Sequence, residues 1–197
     1  MSALKDPVLA DGDRTTADLR FCGEQFESIR GDLIDLTSGH SVAQLEWQPN
    51  ASTWSIAQCI EHLSAATEVD LRRLTAMIVL AGAAHRGRPG PWRSRPQTPA
   101  LVLHDSPRAS LGSPSGALLA PPATNAAQAV NRFLMLNRRL LEVIERAGRI
   151  APLVSRNRTS AVLLDLVGHS LQLNALHHWR YLLQARRVTE FPAFPHH

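Results

Sequence analysis

Four long stretches of this chain place apolar residues three and four positions apart, and no stretch alternates them convincingly as a strand would. That spacing gathers the apolar side chains on one face of a helix. A chain with four such faces must bury them against one another, and the simplest solution is an all-α four-helix bundle. The first helix is expected over 15–37, where Leu19, Cys22, Phe26, Ile29, Leu33 and Leu36 carry the period, with Phe21 and Ile34 beside them. "SGH" at 38–40 supplies its stop. The second begins sharply at Ser55, because Gln58 three residues later completes a capping box. It runs through Ile56, Ile60, Leu63, Val69, Leu71, Leu74 and Ile78 to about Ala81, and Gly82 ends it. Trp54 and Cys59 have the spacing of a hydrophobic staple around that cap. The third starts at Asn125, again with Gln three residues on, and closes at Gly148. The fourth runs from Thr159 or Ser160 to about Val188, with a wide apolar surface that includes Val162, Leu166, Leu173 and Leu183.

The segments between are of a different kind. Residues 1–14 read as a flexible tail, and 15–195 as a single domain. Residues 41–50 form a connection in which Leu45 and Trp47 are expected to be pinned to the core. Residues 83–123 are rich in Pro, Gly and Arg and give a long irregular crossover between the second and third helices. After the fourth helix, Pro192 and Pro195 prevent continuation, while Phe191 and Phe194 can plug apolar gaps.

The formal charge of +4 and an isoelectric point near 10 raise the question of nucleic acid. No basic stripe interleaved with aromatics and no helix-turn-helix or RNA-binding signature is present, which argues against it. No run approaches the ~18 apolar residues of a membrane span, and the N-terminal segment lacks the apolar core of a signal peptide. The two cysteines, Cys22 and Cys59, form no CxxC pair and fall in apolar helical patterns. Buried, reduced thiols in a soluble cytoplasmic protein are the expectation. Neither a phosphate-binding glycine loop nor an HExxH zinc motif occurs.

Histidine is the chemically informative residue. His40, His85, His104, His196 and His197 lie in turns, the crossover or the end of the chain, and are expected to be solvated. On the last helix, His177, Tyr181 and Gln184 share one stripe at i, i+4 and i+7. His62 is the only histidine on the second helix. Together these three side chains, His62, His177 and Tyr181, are candidate ligands for a divalent ion such as zinc, nickel or iron. A neutral phenol is a poor ligand, and its proton would have to be displaced. His178 points roughly 100° away from His177. Glu61 precedes His62 on another face, where a salt bridge or a solvated carboxylate is expected.

"WSIAQCIEHL" together with "HHWRYLLQARRV" and the closing "FPAFP" resembles the DinB-like (DinB/YfiT-like) superfamily of metal-dependent four-helix-bundle proteins. Trp54, Ser55, His62 and Leu63 match the family's block at the start of its second helix. His177, Tyr181 and Gln184, followed by Phe194 and Pro195, match the block in its last helix. The resemblance covers roughly 15–195. It implies a three-histidine metal site, of which His62 and His177 fill two positions and Tyr181 stands at the third. A competing register pairs Asn174 with His178. The resemblance further implies metal binding and, in some relatives, thiol-dependent transfer in which the ion lowers the pKa of a small-molecule thiol; hydrolysis at the same site is the companion expectation. The alternative is a non-catalytic relative that binds a small ligand or forms a homodimer through its helix faces.

Overall fold

The computed structural model describes residues 11–84, 125–154 and 157–195, and every element among them is helical. Four long helices, α1 (Asp11–Ser38), α3 (Ile56–Ala84), α4 (Ala126–Val154) and α5 (Arg158–Thr189), are joined by one short helix, α2 (Val42–Glu46). Each of α1 and α3 packs along both α4 and α5, whereas α4 and α5 touch little. The cross-section is therefore a square with α4 and α5 on one diagonal. Gln25 bonds Trp179 and Asp32 pairs with Arg186, so α1 and α5 run the same way. Ser160 reaches Ala81 while His177 reaches His62, so α5 runs against α3. Phe26, Phe133, Ile29, Leu63, Leu74, Leu140 and Leu171 fill the middle, each at most 1% exposed.

The expected caps are present. The Ser55 backbone N–H donates to Gln58 Oε1 at 2.9 Å, and the Gln58 N–H donates back to Ser55 Oγ at 3.1 Å. Gln48 also donates to Gln58 Oε1, tying the preceding loop to the same cap. Asn125 accepts from the Gln128 N–H at 3.1 Å. The fourth long helix starts slightly earlier than expected because Asn157 caps it, accepting from Ser160 N–H.

Several boundaries differ from the sequence reading. The connection over 41–50 contains α2, opened by a second reciprocal capping box between Ser41 and Gln44. α1 starts at Asp11, before the expected Thr15. Gly82 and Gly148 do not end their helices. A glycine stop needs the left-handed conformation, and no described glycine has positive φ. The carbonyls at the end of α3 find donors on α5 instead: Ser160 Oγ donates to Ala81 O at 2.7 Å and Asn157 Nδ2 to Ala84 O at 3.0 Å. The apolar surfaces are also narrower than the periodicity implied, since Phe21, Ile34, Val69, Val162, Leu166, Leu173 and Leu183 are exposed. From residue 85 the crossover lies outside the described residues, as do 1–10 of the tail.

The end of the bundle holding α2 is sealed by the C-terminal segment. Phe194 is buried edge-on against Trp47 and His40, and Gln44 Nε2 donates to the Pro195 carbonyl at 2.6 Å. His40, expected to be solvated, is half-buried there and sits 2.7 Å from the Leu36 carbonyl, to which its Nδ1–H donates. Leu45 is buried as expected, and Trp47 is half-buried. Phe191 stays mostly outside. Glu46 on α2 accepts from the Ala126 N–H, placing a negative charge at the start of α4. These contacts hold the start of α3 and the end of α5 together, and the histidines lie on that stretch.

Candidate functional site

His62 occupies the second turn of α3, and His177 and Tyr181 lie one turn apart on α5. The antiparallel pairing brings them together. His62 Nε2 and His177 Nε2 are 3.0 Å apart, with the rings stacked at 28°. Two ring nitrogens at that distance share a hydrogen bond, in which one donates its N–H and the other accepts with its lone pair. Tyr181 completes a triangle, its ring centroid 4.4 Å from that of His62 and 4.8 Å from that of His177. Trp54, from the loop that precedes α3, stacks on Tyr181 at 5.8 Å and leans on His62 at 5.2 Å. Trp54 thus walls the site, a role that the staple reading of its position did not supply. The histidines are half-buried, whereas Trp54 and Tyr181 are buried.

Burial and the neighbouring His177 push the His62 pKa down to about 4. Burial also lowers His177, although Asp70 pulls the other way. Both imidazoles are therefore neutral at pH 7, the state in which a ring nitrogen can bind a metal. Burial raises the Tyr181 phenol above its ordinary value, so Tyr181 holds its proton. Cys59, within a turn of His62 on α3, is fully buried with its thiol pushed up to about 12, and Cys22 is pushed equally high. Both are packing residues. Glu61 turns away to pair with Arg132 on α4, as does Glu68.

His178 belongs to a different environment. It is 1% exposed and wedged edge-on against Phe26, with Phe133 on another side. Its Nδ1 lies 2.8 Å from the Asn174 carbonyl and its Nε2 3.0 Å from Thr67 Oγ1. A carbonyl can only accept, so Nδ1 of neutral His178 carries the proton, and the single Thr67 hydroxyl proton is shared between His178 Nε2 and the Leu63 carbonyl 2.8 Å away. The Asn174 side chain donates to Asp70, which also accepts from Arg73. His178 is thus committed to a buried hydrogen-bond network, so the Asn174/His178 register presents no free pair of ligands, although Asn174 Oδ1 itself has no partner among the described residues. Nothing in one sequence marks Thr67 and Asp70 as members of that network, since both belong to the other helix.

The fit to a divalent ion can be judged from the donor set. Two imidazoles on one tetrahedral ion at ~2.0–2.1 Å would hold their nitrogens about 3.3 Å apart, close to the 3.0 Å observed. Those two nitrogens fit. The third position fits only as a phenolate, and no cluster of three His, Cys, Asp or Glu suited to a metal occurs among the described residues.

Fold and site together define a helical bundle with a paired-histidine pocket between antiparallel helices. The model of the DinB superfamily matches residues 25–185, and the chain belongs to that superfamily. No curated protein and no solved structure gives a match. Among the described residues no helix is long and apolar enough to cross a membrane.

Proposed function

We propose that this DinB-superfamily protein binds a divalent metal ion between His62 and His177, with Tyr181 as a third ligand once deprotonated. The supporting observation is the 3.0 Å approach of two neutral imidazole nitrogens from facing helices. A bound ion would supply an electrophile that lowers the pKa of a thiol or a water. The chain's own contribution is to hold both rings neutral through burial and to wall the pocket with Trp54 and Tyr181. Thiol-dependent transfer or hydrolysis is the reaction class this reading implies for a small-molecule substrate.

The test is metal content and titration of protein purified without a histidine tag, beside His62→Ala and His177→Ala. Near-stoichiometric zinc, nickel or iron that both variants lose supports the reading; no uptake by the unaltered chain refutes it. Titration at several pH values then assigns Tyr181. A phenolate ligand releases one proton, so affinity rises about tenfold per pH unit below the phenol pKa. A flat profile above pH 7 would limit the ligands to the two histidines.

A second reading has its own observation. Val162, Leu166 and Leu173 lie at i, i+4 and i+11 on α5 and are all exposed. A bundle that has exchanged a ligand for Tyr181 and keeps this apolar stripe is suited to self-association without catalysis. Sedimentation of Leu166→Glu beside the unaltered chain tests it, and a monomer in both dismisses it.

A further inference from the structure

We infer that the groove between α3 and α4, whose lining does not include the histidine pair, is a binding site for an organic phosphate. The groove is open to solvent and about 700 Å³ in volume. Arg72 stands on the α3 wall, and Arg139 and Arg146 on the α4 wall. The latter two are seven residues apart, about 10.5 Å of axial rise, which long guanidinium arms can close around one polyanion. None of the three has an ion-pair partner among the described residues, although the arginines beside them do: Arg73 pairs with Asp70, and Arg138 with Glu142. Glu142 is the one carboxylate lining the groove among the described residues, and it pairs with Arg138, whose own position is outside the lining. Leu71, Ala76 and Val143 line the rest with apolar surface suited to the carbon part of a ligand.

The groove on the opposite side of α4 shows that this is not the default surface of the bundle. There, between α1 and α4, Arg20 and Arg149 are matched by Glu24, Glu27 and Glu145. Arg149 is paired with Glu145, and Glu27 with Arg30. One groove is charge-balanced, whereas the other gathers three guanidinium groups without ion-pair partners among the described residues over an apolar floor. Guanidinium forks recognise phosphate by paired, charge-assisted hydrogen bonds. The occupant inferred is a free phosphorylated small molecule, whose carbon part would lie on the apolar lining.

The experiment is calorimetric titration of the full chain with inorganic pyrophosphate, at low ionic strength and at about 0.15 M salt, where screening sets in beyond about 8 Å. Arg72→Gln, Arg139→Gln and Arg146→Gln are compared with Arg30→Gln, which removes the same charge on α1, away from the groove. Saturable binding that each groove variant weakens about tenfold, and that Arg30→Gln leaves within about twofold, supports the site. Absence of saturable binding, or equal loss in Arg30→Gln, overturns it. Sedimentation with vesicles rich in anionic phospholipid separates the sources: capture that the groove variants abolish, without pyrophosphate binding, would replace the soluble ligand by a lipid headgroup and overturn the inference as stated.

Discussion

His177 and His178 are consecutive residues on one helix, yet they sit in two different kinds of chemistry. The turn of about 100° between them sends His177 to the half-buried pocket and His178 into the core. Both nitrogens of His178 are committed to neighbours within the protein, the Asn174 carbonyl and the Thr67 hydroxyl. His177 meets only another imidazole at its Nε2. A histidine whose hydrogen bonds are all satisfied by fixed partners is a structural member. A pair that must share one proton between two lone-pair sites keeps a place that an ion can take. The contrast rests on satisfaction of hydrogen bonds more than on burial.

The largest effect that would break the comparison is on stability. His178→Ala should destabilise the protein by about 3–4 kcal/mol through the cavity left in the core. His177→Ala should cost less than about 1 kcal/mol while removing ion binding. Urea unfolding of both variants gives the difference, and equal losses would erase the distinction.

Acid should act next most strongly. The His178 pKa is pushed down from 6.5 to about 4 by burial, and that of His62 to a similar value. The unfolded chain therefore takes up these protons more readily than the folded one, and stability is lost as pH falls from 6.5 towards 4. For His178 alone the loss approaches about 3 kcal/mol. Unfolding measured across that range should flatten by that amount in His178→Phe, which cannot titrate.

A smaller effect sharpens the other side of the comparison. Tyr181→His supplies a neutral nitrogen where a protonated phenol stands, and zinc affinity should rise at least about tenfold at pH 7. Unchanged affinity would place Tyr181 outside the ligand set. The smallest change concerns the mounting of the site. Ser55→Ala removes one half of the box that starts α3 and should cost about 1 kcal/mol, read as a lower midpoint in urea with metal affinity reduced less than about threefold.

The main helices were legible because their apolar periods are long and their caps are carried by side chains next to the start, as at Ser55 and Asn125. The short α2 was not, since five residues are too few to show a period, although Ser41 and Gln44 repeat the very spacing of Ser55 and Gln58. The glycine stop failed at Gly82 because helix ends also depend on distant donors, here Asn157 and Ser160 at the start of α5; at Gly148 the backbone keeps a negative φ and α4 runs on. Apolar spacing alone could not separate buried Leu171 from exposed Leu173, because the fourth apolar surface spans more of the helix than its neighbours cover. The meeting of His62 with His177 was foreseeable from stripe positions and the family blocks. The commitment of His178 was not, because it depends on Thr67 and Phe133 from two other helices.

The most direct measurement of the distinction is the nitrogen NMR spectrum of ¹⁵N-histidine-labelled protein during zinc titration. The Nε2 signals of His62 and His177 should shift together and saturate together, while both nitrogens of His178 stay where they were. A shift at His178, or a His62–His177 pair that keeps its shared proton with zinc present, would contradict the assignment of this pair as the ion-binding site.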